Sequence, residues 1–528
     1  MARKTLGRPF GRLALVVTFV AAGCEASPSL DSAAVDSDAA PWPEGVSLGP
    51  IRGCEAPLPG PAYEEVGARW GLAAAKNTAA DHLDGGGLIV ADLNGDGALD
   101  LVSGFAGEPL RLALRRTLDT FEVRELPVNS AALSAADLSG DGLIDLLIGG
   151  GEPSWLQSLG DGGFTQPQAL PFVGRGVALT RSPAALDVEG DGDLDLFIPA
   201  TAPATAEHAQ DYLLISDGVG GLVEDRARLE AQLAQGRAFS GLVLDVEGDG
   251  DPDVFVDNDM GAQHGGDVLW RNDGAGGLSD ARGDCACGVI HSGMGGDVGD
   301  VNNDGAPDLY LGATSANRLL VQDDGGAFVD VTAATGADPL DSDQDMSWGV
   351  IFLDHDNDGL QDLLVAEGDL WAEGHGGTIQ DAPIHLLAQT DTFTFEDRAP
   401  ALGLDRLGSW RAVNAADHND DGVLDLIITE ITDRPLVFLS TGCTEAGWIA
   451  VDAPLGSRVE VSAGGRWGVD WAHPQSGIGA AGPLRVHLGL GEAQIVDTLR
   501  VILPWGGGTI TVPGPIPARR VITVEARP

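Results

Sequence analysis

Between residues 87 and 440 the chain alternates short apolar runs with polar loops rich in glycine and aspartate. Leu88-Ile89-Val90 leads into one such loop and Leu101-Val102 leaves it. The same exit recurs as Leu146-Leu147-Ile148, Leu196-Phe197-Ile198, Val254-Phe255-Val256, Leu309-Tyr310-Leu311, Leu363-Leu364-Val365 and Leu426-Ile427-Ile428. Runs of this length, apolar or β-branched and bounded by turn residues, predict buried strands and not helices. Each acidic loop therefore joins two strands of a hairpin. A second hairpin follows, marked by turns such as Gly160 to Phe164, Gly218 to Leu222 and Gly274 to Leu278. Two hairpins make a four-stranded unit, the size of a propeller blade.

The loops share one pattern, D-x-[DNSE]-x-D-G-x-x-D, seven times at steps of 45 to 63 residues. The oxygen-bearing positions are Asp92, Asn94, Asp96 and Asp100, then Asp137, Ser139, Asp141 and Asp145, then Asp187, Glu189, Asp191 and Asp195. They continue as Asp245, Glu247, Asp249 and Asp253, then Asp300, Asn302, Asp304 and Asp308. The last two sets are Asp354, Asp356, Asp358 and Asp362, and Asp417, Asn419, Asp421 and Asp425. Oxygens at positions 1, 3 and 5 of a tight loop converge on one point, and glycine at position 6 lets the backbone swing round. A carboxylate at position 9 can then close the shell. Calcium, which takes six to eight oxygens, is the expected ion, in up to seven sites that staple the turns.

Fourth strands are expected near Phe121, Phe164, Leu222, Leu278, Phe328 and Phe395. The seventh unit lacks one, ending at Pro435 to Leu439 before Cys443. A matching stretch, Ala62 to Leu72, stands at the other end and would complete the last unit. The expected fold is all-β: a seven-bladed propeller over 61–442, then a small β domain over 443–528. Ring closure would bring Cys54 to Cys443 as a disulfide. Cys285 and Cys287 then remain, either bridged across one residue or reduced.

The repeats resemble FG-GAP/VCBS repeats of integrin-type propellers, and their flanks, such as Met294 to Gly305, are similar to those of the cartilage acidic protein family. Leu455 to Val459, His487 to Gly491 and Val501 to Gly506 resemble the ASPIC/UnbV domain of that family. The resemblance implies an extracellular, calcium-binding, adhesion-like role and supplies no catalytic residues.

The charge changes the list of partners. With 80 acidic against 30 basic side chains the net charge is −50, which repels nucleic acid and anionic membrane surfaces. Residues 1–23 read as a signal peptide, with Arg3, Lys4, Arg8 and Arg12 before the apolar run Leu13 to Ala22. Ala21-Ala22-Gly23-Cys24 resembles a lipobox, so Cys24 is the expected lipidation site and residues 24–60 a flexible tether. The expectation is an exported outer-membrane or cell-surface lipoprotein, or a secreted protein. It would touch the membrane only through its lipid and act as a monomer.

No H-E-x-x-H zinc helix, G-x-S-x-G elbow or G-x-G-x-x-G strand–helix turn is evident beside these features. The leading expectation is therefore a surface binding or adhesion module for a glycan or an envelope or extracellular protein. A calcium-dependent polysaccharide lyase or hydrolase, and a purely structural envelope protein, are the alternatives. Trp348 and Trp410 would suit a sugar at a channel mouth, although packing between blades is the commoner use of tryptophan. Arg282-Gly283-Asp284, an integrin-recognition tripeptide on paper, reads as a chance match.

Overall fold

The computed structural model describes residues 42–525 apart from 55–61, 73–85, 106, 131, 150–152, 172–178, 181, 202–210, 231–235, 341–344, 370–380, 391–392, 432–434, 442–443 and 475–476. The expected signal peptide and Cys24 lie outside the described residues, as does Cys443.

The apolar runs form the expected strands. Seven sheets follow one another, each built on an antiparallel hairpin that carries one acidic loop. In the fourth sheet Arg237–Leu244 and Asp253–Asp259 flank the loop, and Val268–Asn272 and Leu278–Asp280 make the second hairpin. The loop-flanking strands are buried almost throughout, because neighbouring sheets cover both of their faces. Outer strands such as Phe328–Asp330 and Phe395–Asp397 bury only the phenylalanine. Their exposed acids blunt an edge that would otherwise pair with other chains. In the second sheet the outer strand is Gln168–Ala169, later than expected, and Phe164 makes only an isolated bridge to Ser158.

The seventh sheet takes its fourth strand from the N-terminal side. Tyr63–Glu65 pairs antiparallel with Leu436–Ser440, Tyr63 facing Ser440. Apolar clusters sit between successive sheets, and one of them joins Ile427 and Val437 of the seventh to Leu88 and Leu101 of the first. The innermost strands Trp410–Ala416 and Gly87–Ala91 are likewise neighbours. Ala200–Thr201, which continues the third sheet's second strand, pairs with Arg237 of the fourth, but the sheets do not close into one continuous hydrogen-bonded barrel, so the architecture is propeller-like.

The C-terminal region forms two further four-stranded sheets. One holds Arg466–Trp471, Arg458–Ala463, Ile495–Ile502 and Thr509–Pro517. The other holds Arg485–Gly491, Gly447–Asp452, Arg520–Val524 and, at its edge, Val46–Leu48. This corrects the expected tether over 24–60: residues 46–48 are a strand, held by the register Val46 to Val524 and Leu48 to Ile522. The stretch lacks apolar periodicity because only three residues pair. Cys285 and Cys287 stand side by side as a bridged pair, the first of the two expected arrangements. Cys54 is disulfide-bonded too.

Candidate metal loops and the domain that covers them

The seven loops fold alike because their acids collect backbone N–H groups. Position 1 accepts from positions 5 and 6 in every loop: Asp92 from Asp96 and Gly97, at 3.2 and 2.8 Å, and Asp417 from Asp421 and Gly422, at 3.0 and 2.9 Å. Position 5 accepts from position 7, as Asp96 does from Ala98 at 2.9 Å and Asp358 from Leu360 at 2.8 Å. Position 9 reaches further. Asp100 takes the amide of Leu93 on one oxygen and that of Arg115, in the third strand, on the other. Asp253 does the same with Val246 and Asn272, and Asp425 with His418 and Ser440. These position-9 carboxylates are buried, so their first task is to pin the hairpin to its neighbouring strand, and a cation would share them with those amides.

Two backbone positions turn left-handed. Glycine at position 6 was expected to, and does, with φ from 82° at Gly97 to 94° at Gly250. Position 4 was missed. It is Gly95, Gly140, Gly190 and Gly248 in four loops and Asn303, Asn357 and Asp420 in three, all at positive φ. Glycine, asparagine and aspartate are the residues that tolerate this region, so restriction to those three types was the available signal.

The loops differ in how well they gather donors. In the sixth, Asp354, Asp356 and Asp358 each bring a carboxylate oxygen within 4.8 Å of the others. Burial and then the carboxylate of Asp356 push Asp358 up to about 6, and burial with Asp362, Asp358 and Asp356 raises Asp354 well above the carboxylate range. Three oxygens that repel one another in a turn with two left-handed residues fit a hard divalent cation. Burial opposes charge on His355 of the same loop, but Asp362 beside it outweighs this and lifts it to about 9. In the third and fourth loops the glutamates at position 3 turn instead to arginines: Glu189 pairs with Arg228, and Glu247 with Arg271 at 3.1 Å. Asn302 and Asn419 direct their NH2 groups to Asp304 and Asp421, each at 2.8 Å, while their oxygens accept the position-5 amides.

The C-terminal domain sits on the loops. The indole of Trp505 donates to the carbonyl of Asp187 at 2.8 Å, and its backbone N–H to Gly250 at 2.8 Å. His487 meets the side chain of Asn357 at 2.8 Å, and the Gly491 amide donates to the Asn357 carbonyl at 2.8 Å. A Cβ on Gly422 would lie 1.9 Å from the Trp448 indole nitrogen, and one on Gly305 2.7 Å from Arg458. The third to seventh loops thus all touch this domain. A cavity of about 300 Å³ remains between it and the third and fourth loops, lined by Leu186, Leu244, Leu455, Leu503 and Trp505.

A segment of the same domain enters the middle of the sheets. Gly477 donates to Gly296 of the fifth sheet, Gly479 donates to Ser182 and accepts from Leu88, and Ala480–Ala481 pairs parallel with Leu88 and Ile89 of the first sheet. Ile478 packs with Phe239, Met294, Met346 and Trp348. Trp348 and Trp410 are therefore core residues, 0% and 1% exposed, their indoles donating to Gly368 and Ala382. This settles their use as packing and removes them as a sugar platform. Arg282 of the tripeptide is engaged by Asp280 at 2.7 Å.

Two family models match parts of the chain. The FG-GAP-like repeat family matches residues 137–198 and 300–365, and the ASPIC and UnbV family matches 452–527. No curated protein shows a significant match. Among solved structures, the chain is similar to an Agrocybe aegerita lectin specific for non-reducing terminal N-acetylglucosamine, at 16% identity and TM-score 0.42, covering 67% of this chain and 94% of that one. It is similar to YCF48 bound to D1 peptide, at 11% identity and TM-score 0.41, covering 74% and 98%. It is also similar to BBS1N in complex with ARL6DN, at 10% identity and TM-score 0.40, covering 70% and 96%. The chain thus contains FG-GAP-like repeats and a C-terminal ASPIC and UnbV domain.

Proposed function

We propose that this protein is an exported, calcium-organised binding module that holds a glycan or an envelope protein at the cell surface and leaves it chemically intact. The observation that supports this most is the use of the loops. Their acids are spent on shaping turns, and five of the seven turns form the seat of the C-terminal domain. Calcium there would fix one domain on the other, a structural office and not a catalytic one. With the loop end covered and the centre filled by 477–482, the end of the sheets opposite the loops is the face left for a partner. Described connections between second and third strands, such as 260–267 and 314–317, lie at that end, and loops on a rigid scaffold commonly carry binding. Lipidation at Cys24 would tether the module to the membrane.

A screen of glycans and envelope proteins against the mature protein, in calcium and in chelator, tests this reading. Retention in calcium, release in chelator and an unchanged ligand are expected. Release of reducing ends or unsaturated uronate that disappears in a point variant would establish the glycan-active enzyme instead.

A further inference from the structure

The second strand of the fourth sheet runs past its loop to the other end of the sheet, where it presents Asp257. Two more residues meet it there: Asp267, from the connection to the third strand, and His291, from the segment that enters the fifth sheet. The His291 Nε2 lies 3.0 Å from Asp257 Oδ1 and 3.1 Å from Asp267 Oδ2. Both carboxylate side chains are fully buried and the imidazole is 3% exposed. One donor atom from each residue falls within 4.8 Å of the other two.

Three observations separate this cluster from the acidic loops. The second oxygen of Asp257 and the Nδ1 of His291 are buried without a hydrogen-bond partner. The position-9 aspartates, by contrast, are held by backbone amides on both oxygens. Space is reserved for the carboxylate, since a Cβ on Gly293 would sit 1.6 Å from Asp257 Oδ1. The charge does not balance, because two buried carboxylates face one imidazole and the nearby Arg237 pairs with Asp259 at 3.6 Å.

We infer that Asp257, Asp267 and His291 form a binding site for a first-row divalent transition metal, separate from the calcium loops. A divalent ion with a neutral imidazole and two carboxylates is electrically neutral. The nitrogen-to-oxygen separations are close to the roughly 3.3 Å edge of a tetrahedron with bonds of about 2.0 Å. One imidazole nitrogen with two carboxylate oxygens suits zinc, iron or manganese, whereas calcium needs a fuller shell of oxygens. Three protein ligands leave a coordination position for water or for a donor from a partner. The ion would join the fourth sheet to the fifth at the end away from the loops.

Cobalt is the probe. The full chain is produced in medium supplemented with Co²⁺ and purified in millimolar calcium without chelator. The expected result is about one retained cobalt per chain, with visible bands stronger than those of the hydrated ion. His291→Gln and Asp267→Asn should each lose that cobalt, whereas Asp354→Ala with Asp358→Ala should keep it. Wild-type protein that retains no cobalt, or cobalt kept equally by folded His291→Gln, overturns the site and leaves a histidine clasped between two aspartates. If neither single variant folds, the proton spectrum of the cobalt-loaded wild type decides. A paramagnetically shifted imidazole N–H supports the site, and its absence overturns it.

Discussion

The indole N–H of Trp505 donates to the backbone carbonyl of Asp187 across 2.8 Å and 318 residues of sequence. Asp187 opens the third acidic loop, and Gly190 of that loop has the Trp505 ring where a Cβ would stand. The bond makes the loop part of an interdomain seat. Trp505→Ala should lower unfolding stability by about 2 kcal/mol, less than a fully buried tryptophan because the ring is half-buried. Urea titration of the full chain measures it. Limited proteolysis should also cut the C-terminal domain faster in the variant.

Removing calcium should lower the melting temperature. An ion that binds only folded loops contributes about 2.7 kcal/mol per site at a hundredfold excess over its Kd. Scanning calorimetry in millimolar calcium and in chelator reads this, and equal melting temperatures would refute the metal assignment. Asp354→Ala with Asp358→Ala should lower the bound calcium by about one ion while the sheets stay folded.

Position 4 of the loops gives a backbone test. Asn303 sits at φ 57° and donates to the Gly359 carbonyl at 3.2 Å. Asn303→Val should cost about 1–2 kcal/mol or more, since a β-branched residue resists the left-handed region. Asn303→Gly should cost less, about 1 kcal/mol for the lost bond. If the two variants unfold at the same urea concentration, the left-handed turn is not what limits the loop.

His385 supplies a pH dependence away from the loops. Its two nitrogens lie 2.7 Å from Asp397 and 2.7 Å from Glu367. Burial opposes its charge, but Asp397 and Glu367 outweigh that and raise it to about 9. The folded state therefore holds the proton more tightly than the unfolded chain, whose histidine titrates near 6.5. The resulting stability is full below about pH 6.5 and is lost as pH rises through about 9. At about 1.4 kcal/mol per pH unit it amounts to at most about 3.5 kcal/mol. Urea unfolding from pH 6 to 10 in saturating calcium should show this decline in the wild type, flattened in His385→Gln.

The hairpins were legible because alternation and loop spacing are local. Leu88 to Val90, Asp92 to Asp100 and Leu101 fall within one short window, and seven repetitions leave little freedom. The completing strand at Tyr63 was legible for a different reason, since a missing fourth strand at one end had a counterpart at the other. The seat of the C-terminal domain was not. Trp505, His487 and Arg458 reach loops more than a hundred residues away, and such pairs leave no periodic trace. Asp257, Asp267 and His291 escaped for the same reason, being brought together by a strand end, a connection and an entry segment that share no motif. The strand Val46–Leu48 was hidden by brevity.

That strand and Tyr63–Glu65 set an order of events for a growing chain. Val46–Leu48 pairs with Arg520–Val524, and Tyr63–Glu65 with Leu436–Ser440, so the two earliest of the described strands find their partners only far along the sequence. Contacts of such long separation form slowly and late. The edge of the seventh sheet can pair once Leu436–Ser440 has been made, whereas Val46–Leu48 waits for Arg520–Val524. The arrival of Arg520–Val524, and not the folding of any single hairpin, is the event that latches Val46–Leu48 in place.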